Sequence, residues 1–502
     1  MTSPTVSLTE QMLRRRPVIG APVAHGASDH LKRSIGTFQL TMFGVGATVG
    51  TGIFIVLQQA VPKAGPAVLI SFVVAGIAAG LSAICYAEMA AAVPVSGSTY
   101  SYAYTTMGEV VAMGVAACLL LEYGVSMSAT AIGWSGYLNK LLDNLFGWQL
   151  PHALMAAPWG NDNPGIVNLP AMVLIVMCAL LLIRGASESA TVNTVMVIVK
   201  LCVLAMFVLI AFTAFTTDHF ADFWHAGFAG ITAGASTIFF TFIGLDAVST
   251  AGDEVKNPQK TMPRAIIAAL IVVTSIYILV AFAGLGTQSA EAFGSDEQSE
   301  AGLSVILENI LHGQTWASTI LAAGAVISIF SVTLVVMYGQ TRILFAMGRD
   351  GLLPSMFAKV NPRTMTPVNN TIIVAVITAT LAGFVPIDYL WDLVSIGTLV
   401  AFITVSIGVI ILRVREPNLP RAFKVPGYPV TPVLSVVACA FVLYGLPPIT
   451  WLWFGIWVTV VLAFYFVWGR HHSALIDGGD GLIPTAAAQE DEVLIHPPKD
   501  GL

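Results

Sequence analysis

Apolar stretches close to the roughly 20 residues that a helix needs to cross a bilayer recur from one end of this chain to the other. We read twelve, near residues 36–60, 66–93, 110–138, 166–184, 190–215, 228–250, 264–287, 315–346, 370–386, 390–412, 430–447 and 449–468. A chain patterned in this way reads as an all-α polytopic membrane protein with 12 transmembrane helices. Composition agrees, since 56% of residues are hydrophobic and 10% charged, against about 25% charged in soluble domains.

Charge placement tests the helix count. With the N-terminus inside and the helices alternating, the outer loops hold only Lys63 and Lys140 of the 22 Lys and Arg residues, and Lys200 lies within a span. Every other basic residue, from Arg14–Arg16, Lys32 and Arg33 through Arg184, Lys256, Lys260, Arg264, Arg342, Arg349, Lys359, Arg363, Arg413, Arg415, Arg421, Lys424 and Arg470 to Lys499, falls inside. The positive-inside rule therefore favours twelve spans with both ends cytoplasmic, in the plasma membrane. The outer segment 288–314 collects acids instead: Glu291, Asp296, Glu297, Glu300 and Glu308. Residues 1–34 carry no apolar core with a cleavage site, so no signal peptide is expected and the first helix directs insertion. The tail 471–502 is polar and rich in Gly, Asp, Glu and Pro, and reads as disordered.

Several chemistries fall away early. All five cysteines (Cys85, Cys118, Cys178, Cys202, Cys439) lie in apolar spans without paired spacing, and read as buried small hydrophobes. No histidine lies in a span, which removes the usual haem ligands, and neither a metal nor a cofactor is expected. A multispan enzyme would need a convergent catalytic set, and there is none. A channel would need a continuous polar lining, whereas the spans offer isolated ionisable groups.

Lys200 is the outlier, alone in Val195–Phe212. A cation at the centre of an inserted helix costs roughly 2.5 to 3.5 kcal/mol, so such a residue faces a cavity, a partner or an ion pathway. Burial disfavours a charged ammonium, which makes proton exchange one reading. A permanent cation pinning two helices together is the other.

The first span is interrupted by Gly44, Gly46, Gly50 and Gly52, with Thr48 and Thr51 among them, and each glycine costs about 1 kcal/mol in a helix relative to alanine. No strand precedes this segment and its flanks are apolar, against a nucleotide-binding loop. Close packing through Gly46 and Gly50 is one explanation. The other is an unwound segment whose free N–H groups, at the positive end of a half-helix, hold a carboxylate. A matching interruption occurs half a fold later, at Gly234–Asp246 in the sixth span. Paired breaks at corresponding positions point to a transporter's midplane site, with carbonyls of the sixth helix accepting from an ammonium group. That pairing selects an amino acid.

Four ordered motifs carry a family resemblance: Gly44–Gly52 followed by Ile53 and Phe54; Tyr86–Tyr100; Phe239–Asp246 leading to Asp253–Pro258 and Pro263; and Arg342–Pro354. Over about residues 34–468 the chain resembles the amino acid–polyamine–organocation superfamily, and within it the cationic amino acid transporter branch. The resemblance implies a LeuT-like five-plus-five inverted repeat with broken helices 1 and 6, in units at 35–215 and 228–413, two further helices at 430–468, and alternating access around a central site. It implies that Thr48, Gly50, Thr51 and Gly52 surround the substrate carboxylate, that Phe240, Thr241 and Ile243 offer carbonyls to the amino group, and that Phe240 is also an aromatic lid. Lys200 matches the fifth-helix lysine that replaces a bound cation in proton-coupled relatives. While protonated it would reach the broken first helix, and when neutral release it.

Three carboxylates complete the set. Glu122 in the third span could bind a cationic side chain, carry a proton or bond a neighbouring helix. Asp246, just beyond the sixth-helix break, is a second proton-coupling candidate or a helix-end structural acid. Glu88 precedes the bend at 94–97 and is expected to form an inner gate with Arg342 or Arg349, unless it is a solvated or capping residue. The expected function is proton-coupled uptake of L-amino acids, cationic (arginine, lysine, ornithine) or small neutral. Sodium-independent exchange is the alternative, and an amino-acid-binding sensor without transport is the reading from another class. The expected partners are the amino acid, protons and the lipid bilayer, with no nucleic acid. An accessory single-span subunit and the oligomeric state are not legible in the sequence.

Overall fold

Away from water every backbone N–H and C=O must be satisfied within its own segment, which is why the apolar runs become helices. The computed structural model describes residues 11–15, 35–93, 97–160, 164–184, 190–250, 255–294, 301–361, 364, 366–419 and 421–476. Arg16, Lys32, Arg33, Asp253, Asp296, Glu297, Glu300, Arg363, Lys499, most of the bend at 94–97 and the tail from 477 onward lie outside the described residues.

In chain order the helices are α1 (Thr37–Thr48), α2 (Thr51–Ala64), α3 (Val68–Ala92), α4 (Ser98–Thr106), α5 (Glu109–Phe146), α6 (Leu169–Ile183), α7 (Ala190–Ala211) and α8 (Gly227–Phe239). There follow α9 (Ala247–Thr250), α10 (Pro258–Leu285), α11 (Gly302–Ile310), α12 (Trp316–Arg349), α13 (Val368–Phe384), α14 (Ile387–Arg415), α15 (Val430–Tyr444) and α16 (Pro448–Phe464). Eight stretches are long and apolar enough to cross a membrane, the first of them, Gly52–Ala92, containing both α2 and α3. Three shorter apolar helices are α6, α13 and α15. The protein is a multi-pass helical membrane protein.

Packing follows a pattern. α3 lies on α10, α5 on α12 and α6 on α13, while α14 crosses α5 and α1 packs against α7 and α10. Small polar residues join the helices where an apolar solvent gives no hydrophobic drive. The Ser435 hydroxyl lies 2.9 Å from that of Ser82 and 2.8 Å from that of Ser406, linking α15, α3 and α14.

Three expectations need correction. Segments read as loops contain helices, α4 before the third span and α11 within 288–314. Lys63 and Lys140 are not in loops but in the helices α2 and α5, which run beyond their apolar cores and carry long basic side chains to polar partners. Lys63 Nζ donates to Thr237 Oγ1 at 2.9 Å, and Lys140 pairs with Glu308 at 2.7 Å. Cys202 is exposed, on an outward face of α7, whereas the other four cysteines are buried.

Candidate substrate-binding site

Both expected breaks are present. α1 ends at Thr48, Val49 leaves the helical region (φ −78°, ψ 84°), and α2 restarts after Gly50 (φ −129°, ψ −143°). No side chain caps the start of α2, so its first N–H groups are open donors at the positive end of a helix, next to the buried Gly52 and Ile53. Gly50 does not add to them, because its N–H bonds Thr48 O at 2.9 Å. The Thr48 hydroxyl is likewise spent on Gly44 O at 2.8 Å. The Thr51 side chain lies outside the described residues.

The second break runs through a short tight turn at Phe240–Phe242 to Ile243, which is extended (ψ 144°), and Gly244, which is left-handed (φ 92°). Thr241 and Gly52 bring the two breaks together: a Cβ on Gly52 would lie 2.9 Å from Thr241 Cα. Tyr277 of α10 spans them as well, its hydroxyl 2.8 Å from both Thr48 O and Thr241 O. One proton serves one of these carbonyls at a time, so the other keeps lone pairs free. Ile243 N–H bonds Phe240 O at 3.2 Å, leaving that carbonyl a second acceptor position.

Lys200 is buried on α7, and its Nζ donates to Gly46 O at 3.0 Å and Val49 O at 2.9 Å. These carbonyls are at the negative end of α1, left without intrahelical partners by the break. A cation there satisfies both the hydrogen-bonding need and the dipole. Ser328 of α12 adds a longer contact to Val49 O, at 3.4 Å.

On the other side of the sixth-helix break, Asp246 Oδ2 accepts from Tyr123 Oη at 2.8 Å and Ser98 Oγ at 3.3 Å, while Oδ1 is buried without a hydrogen-bond partner. Glu122 is wholly buried and lies beside Asp246. Thr398 is nearby, but its hydroxyl proton goes to Val394 O at 3.0 Å. Two buried carboxyl groups thus stand close to each other beside the break.

Phe240, the expected lid, stacks on Trp391 of α14 with centroids 3.8 Å apart, and Trp391 Nε1 donates to Thr237 O at 3.0 Å. Trp391, Tyr277 and Tyr123 were missed in the sequence. Each is a polar-tipped aromatic in an apolar span, a signal that becomes specific only once the partner carbonyl or carboxylate is known.

The expected pairing of Glu88 with Arg342 or Arg349 does not form. Glu88, buried near the end of α3, accepts from Arg413 Nε at 2.8 Å and Nη2 at 2.5 Å, and from Val425 N–H at 2.6 Å, with Arg421 Nε 3.5 Å away. Arg342 instead donates to Tyr338 Oη at 2.7 Å, one turn back on its own helix. Removing one side of a buried ion pair strands the other, at a cost of about 3 to 5 kcal/mol. Glu88→Gln is accordingly expected to lower the thermal unfolding midpoint in detergent, with Arg342→Gln staying close to wild type; equal midpoints for the two variants would refute this assignment.

The amino acid permease family profile matches residues 35–468, the whole helical body. The chain belongs to the amino acid permease family. This permease is 40% identical to the methylthioribose transporter of Bacillus subtilis and 41% identical to the branched-chain amino acid permease BcaP of the same organism, each over 92% of this chain and 99% of the relative. It is 36% identical to the vacuolar cationic amino acid transporter 2 of Arabidopsis thaliana, over 81% of this chain and 64% of that one. Membership in the amino acid–polyamine–organocation superfamily follows, and these relatives are named as transporters, not enzymes.

Proposed function

We propose that this permease is a secondary active transporter that takes up L-amino acids across the plasma membrane together with protons. The observation that carries this reading is Lys200 on the carbonyl end of the broken first helix. In the proposed cycle the protonated ammonium holds α1 by Gly46 O and Val49 O, and loss of the proton frees α1 to move. The substrate carboxylate takes the open N–H groups of α2, and its ammonium the carbonyls of Phe240, Thr241 and Ile243. Substrate binding and the charge on Lys200 then act on the same break from opposite faces. Twelve spans in two five-helix units plus two further helices, with both ends cytoplasmic, are part of this reading; the packing of α3 on α10, α5 on α12 and α6 on α13 supports it.

Glu122 and Asp246 would receive either a proton or the cationic end of an arginine or lysine side chain. Similarity to a branched-chain permease supports the neutral alternative, in which Glu122 is protonated beside an apolar side chain. Uptake of labelled arginine, lysine, alanine and leucine into proteoliposomes, with and without an inward proton gradient, tests both layers. Gradient-driven accumulation is expected, and the label preferred assigns Glu122. Accumulation that ignores the gradient and requires preloaded amino acid would replace symport with exchange.

A further inference from the structure

The cytoplasmic rim holds a second built feature, separate from the central site. Residues 11–15 dock on the corner between α4 and α5, so closely that a Cβ on Gly108 (φ 113°) would lie 3.1 Å from Leu13 Cα and from Met12 O. Arg415, at the end of α14, reaches the same corner and donates from Nη1 to Thr106 O at 2.9 Å. Arg15, two residues on from Leu13, therefore lies at the same corner as Arg415 and within range of its charge. Desolvation first, and then the Arg415 charge, lower the Arg15 guanidinium from its usual value.

No acid balances this pair among the described residues. Glu109 is buried next to the neighbouring Arg14, and accepts from Ser473 Oγ at 2.7 Å and Tyr104 Oη at 3.2 Å. Glu88 is taken by Arg413 and Arg421. Glu416, next in sequence to Arg415, is exposed and in no ion pair among the described residues. Two exposed arginines at one corner, one of them held in place by a backbone carbonyl, together offer several N–H donors to an anion. That is the recognition pattern of a phosphate.

The surroundings say what carries the phosphate. Leu13 is 50% exposed and Val414 71% exposed, each adjacent in sequence to this arginine cluster. Val467 and Trp468 are also exposed, in the helical turns 465–472 that continue α16 and hold Arg470. A free anion has no use for exposed apolar side chains at the edge of its site, whereas a headgroup with acyl chains does.

We propose that Arg15 and Arg415 together seat the phosphate of an anionic phospholipid of the inner leaflet, with Leu13 and Val414 against its hydrocarbon. The leaflet rests on the orientation proposed above; the headgroup preference does not. The test is native mass spectrometry of the full-length protein in detergent, titrated with phosphatidylglycerol or phosphatidylcholine, comparing wild type with Arg15→Gln/Arg415→Gln. Both positions are exposed and outside the transport site. The first bound phosphatidylglycerol is expected to weaken roughly thirtyfold in the variant at low ionic strength, with phosphatidylcholine unchanged. Equal phosphatidylglycerol affinity in the two proteins would overturn the proposal. So would displacement of the lipid by inorganic phosphate at matched concentration, which would make the pair a free-anion site. Reversed orientation would leave this binding difference intact and would show instead in protease access to the termini.

Discussion

Lys200→Ala is expected to abolish proton-driven accumulation, reducing uptake in proteoliposomes to passive equilibration. The substitution strands Gly46 O and Val49 O, which accept from Nζ at 3.0 and 2.9 Å in a buried place. Hydrogen bonds to a charged group contribute about 1.5 to 3 kcal/mol each, so substrate affinity should fall at least roughly tenfold as the broken helix loses its anchor. Lys200→Arg separates the two readings of this cation. A guanidinium keeps its charge at any physiological pH. If Lys200 releases a proton during the cycle, the arginine variant binds substrate and supports exchange but does not accumulate it on a gradient. If Lys200 is a fixed cation, arginine restores accumulation as well, and the proposed coupling fails.

Gly244→Ala should have an effect of similar size through a different route. Gly244 has φ 92°, a region that an L side chain enters at a cost of about 1 to 3 kcal/mol, and a Cβ there would stand 2.5 Å from Ala47 O. That oxygen belongs to the backbone of α1, so relief requires the two broken helices to separate. The expected result is loss of saturable uptake from a protein that still elutes as a single folded species. Gly114→Ala is the control, since a Cβ at Gly114 meets nothing within 4 Å and alanine favours the helix. Uptake retained by Gly244→Ala would mean that the contact between the breaks is dispensable.

These positions show where sequence reasoning reached and where it stopped. The breaks were legible because glycine, threonine and an acid inside an apolar run contradict helix propensity, and a local contradiction survives without knowledge of the fold. Lys200 was legible for the same reason: its cost is paid within its own segment. Pairing was not. The charge pattern puts Glu88, Arg342 and Arg349 on one side of the membrane and so suggests a pair among them, yet the guanidinium on Glu88 comes from Arg413, 325 residues away. Side of the membrane is a one-dimensional property read from the count of spans, whereas partners depend on which helices are neighbours. Tyr277 illustrates the same gap, since nothing in its apolar run says that its hydroxyl lies between two broken helices.

The meeting of chain ends on Glu109 bears on how the molecule is made. Glu109 opens α5, early in the chain, and its hydrogen bond from Ser473 waits for a residue that leaves the ribosome after the last membrane helix. Ala474 N–H likewise closes on Asp350 O at 3.0 Å. Until then Glu109 Oε2 has only the longer bond from Tyr104 Oη, at 3.2 Å. A chain that stops short of Ser473 never gains that second, shorter bond, and the start of α5 stays untied from the segment that follows the last helix.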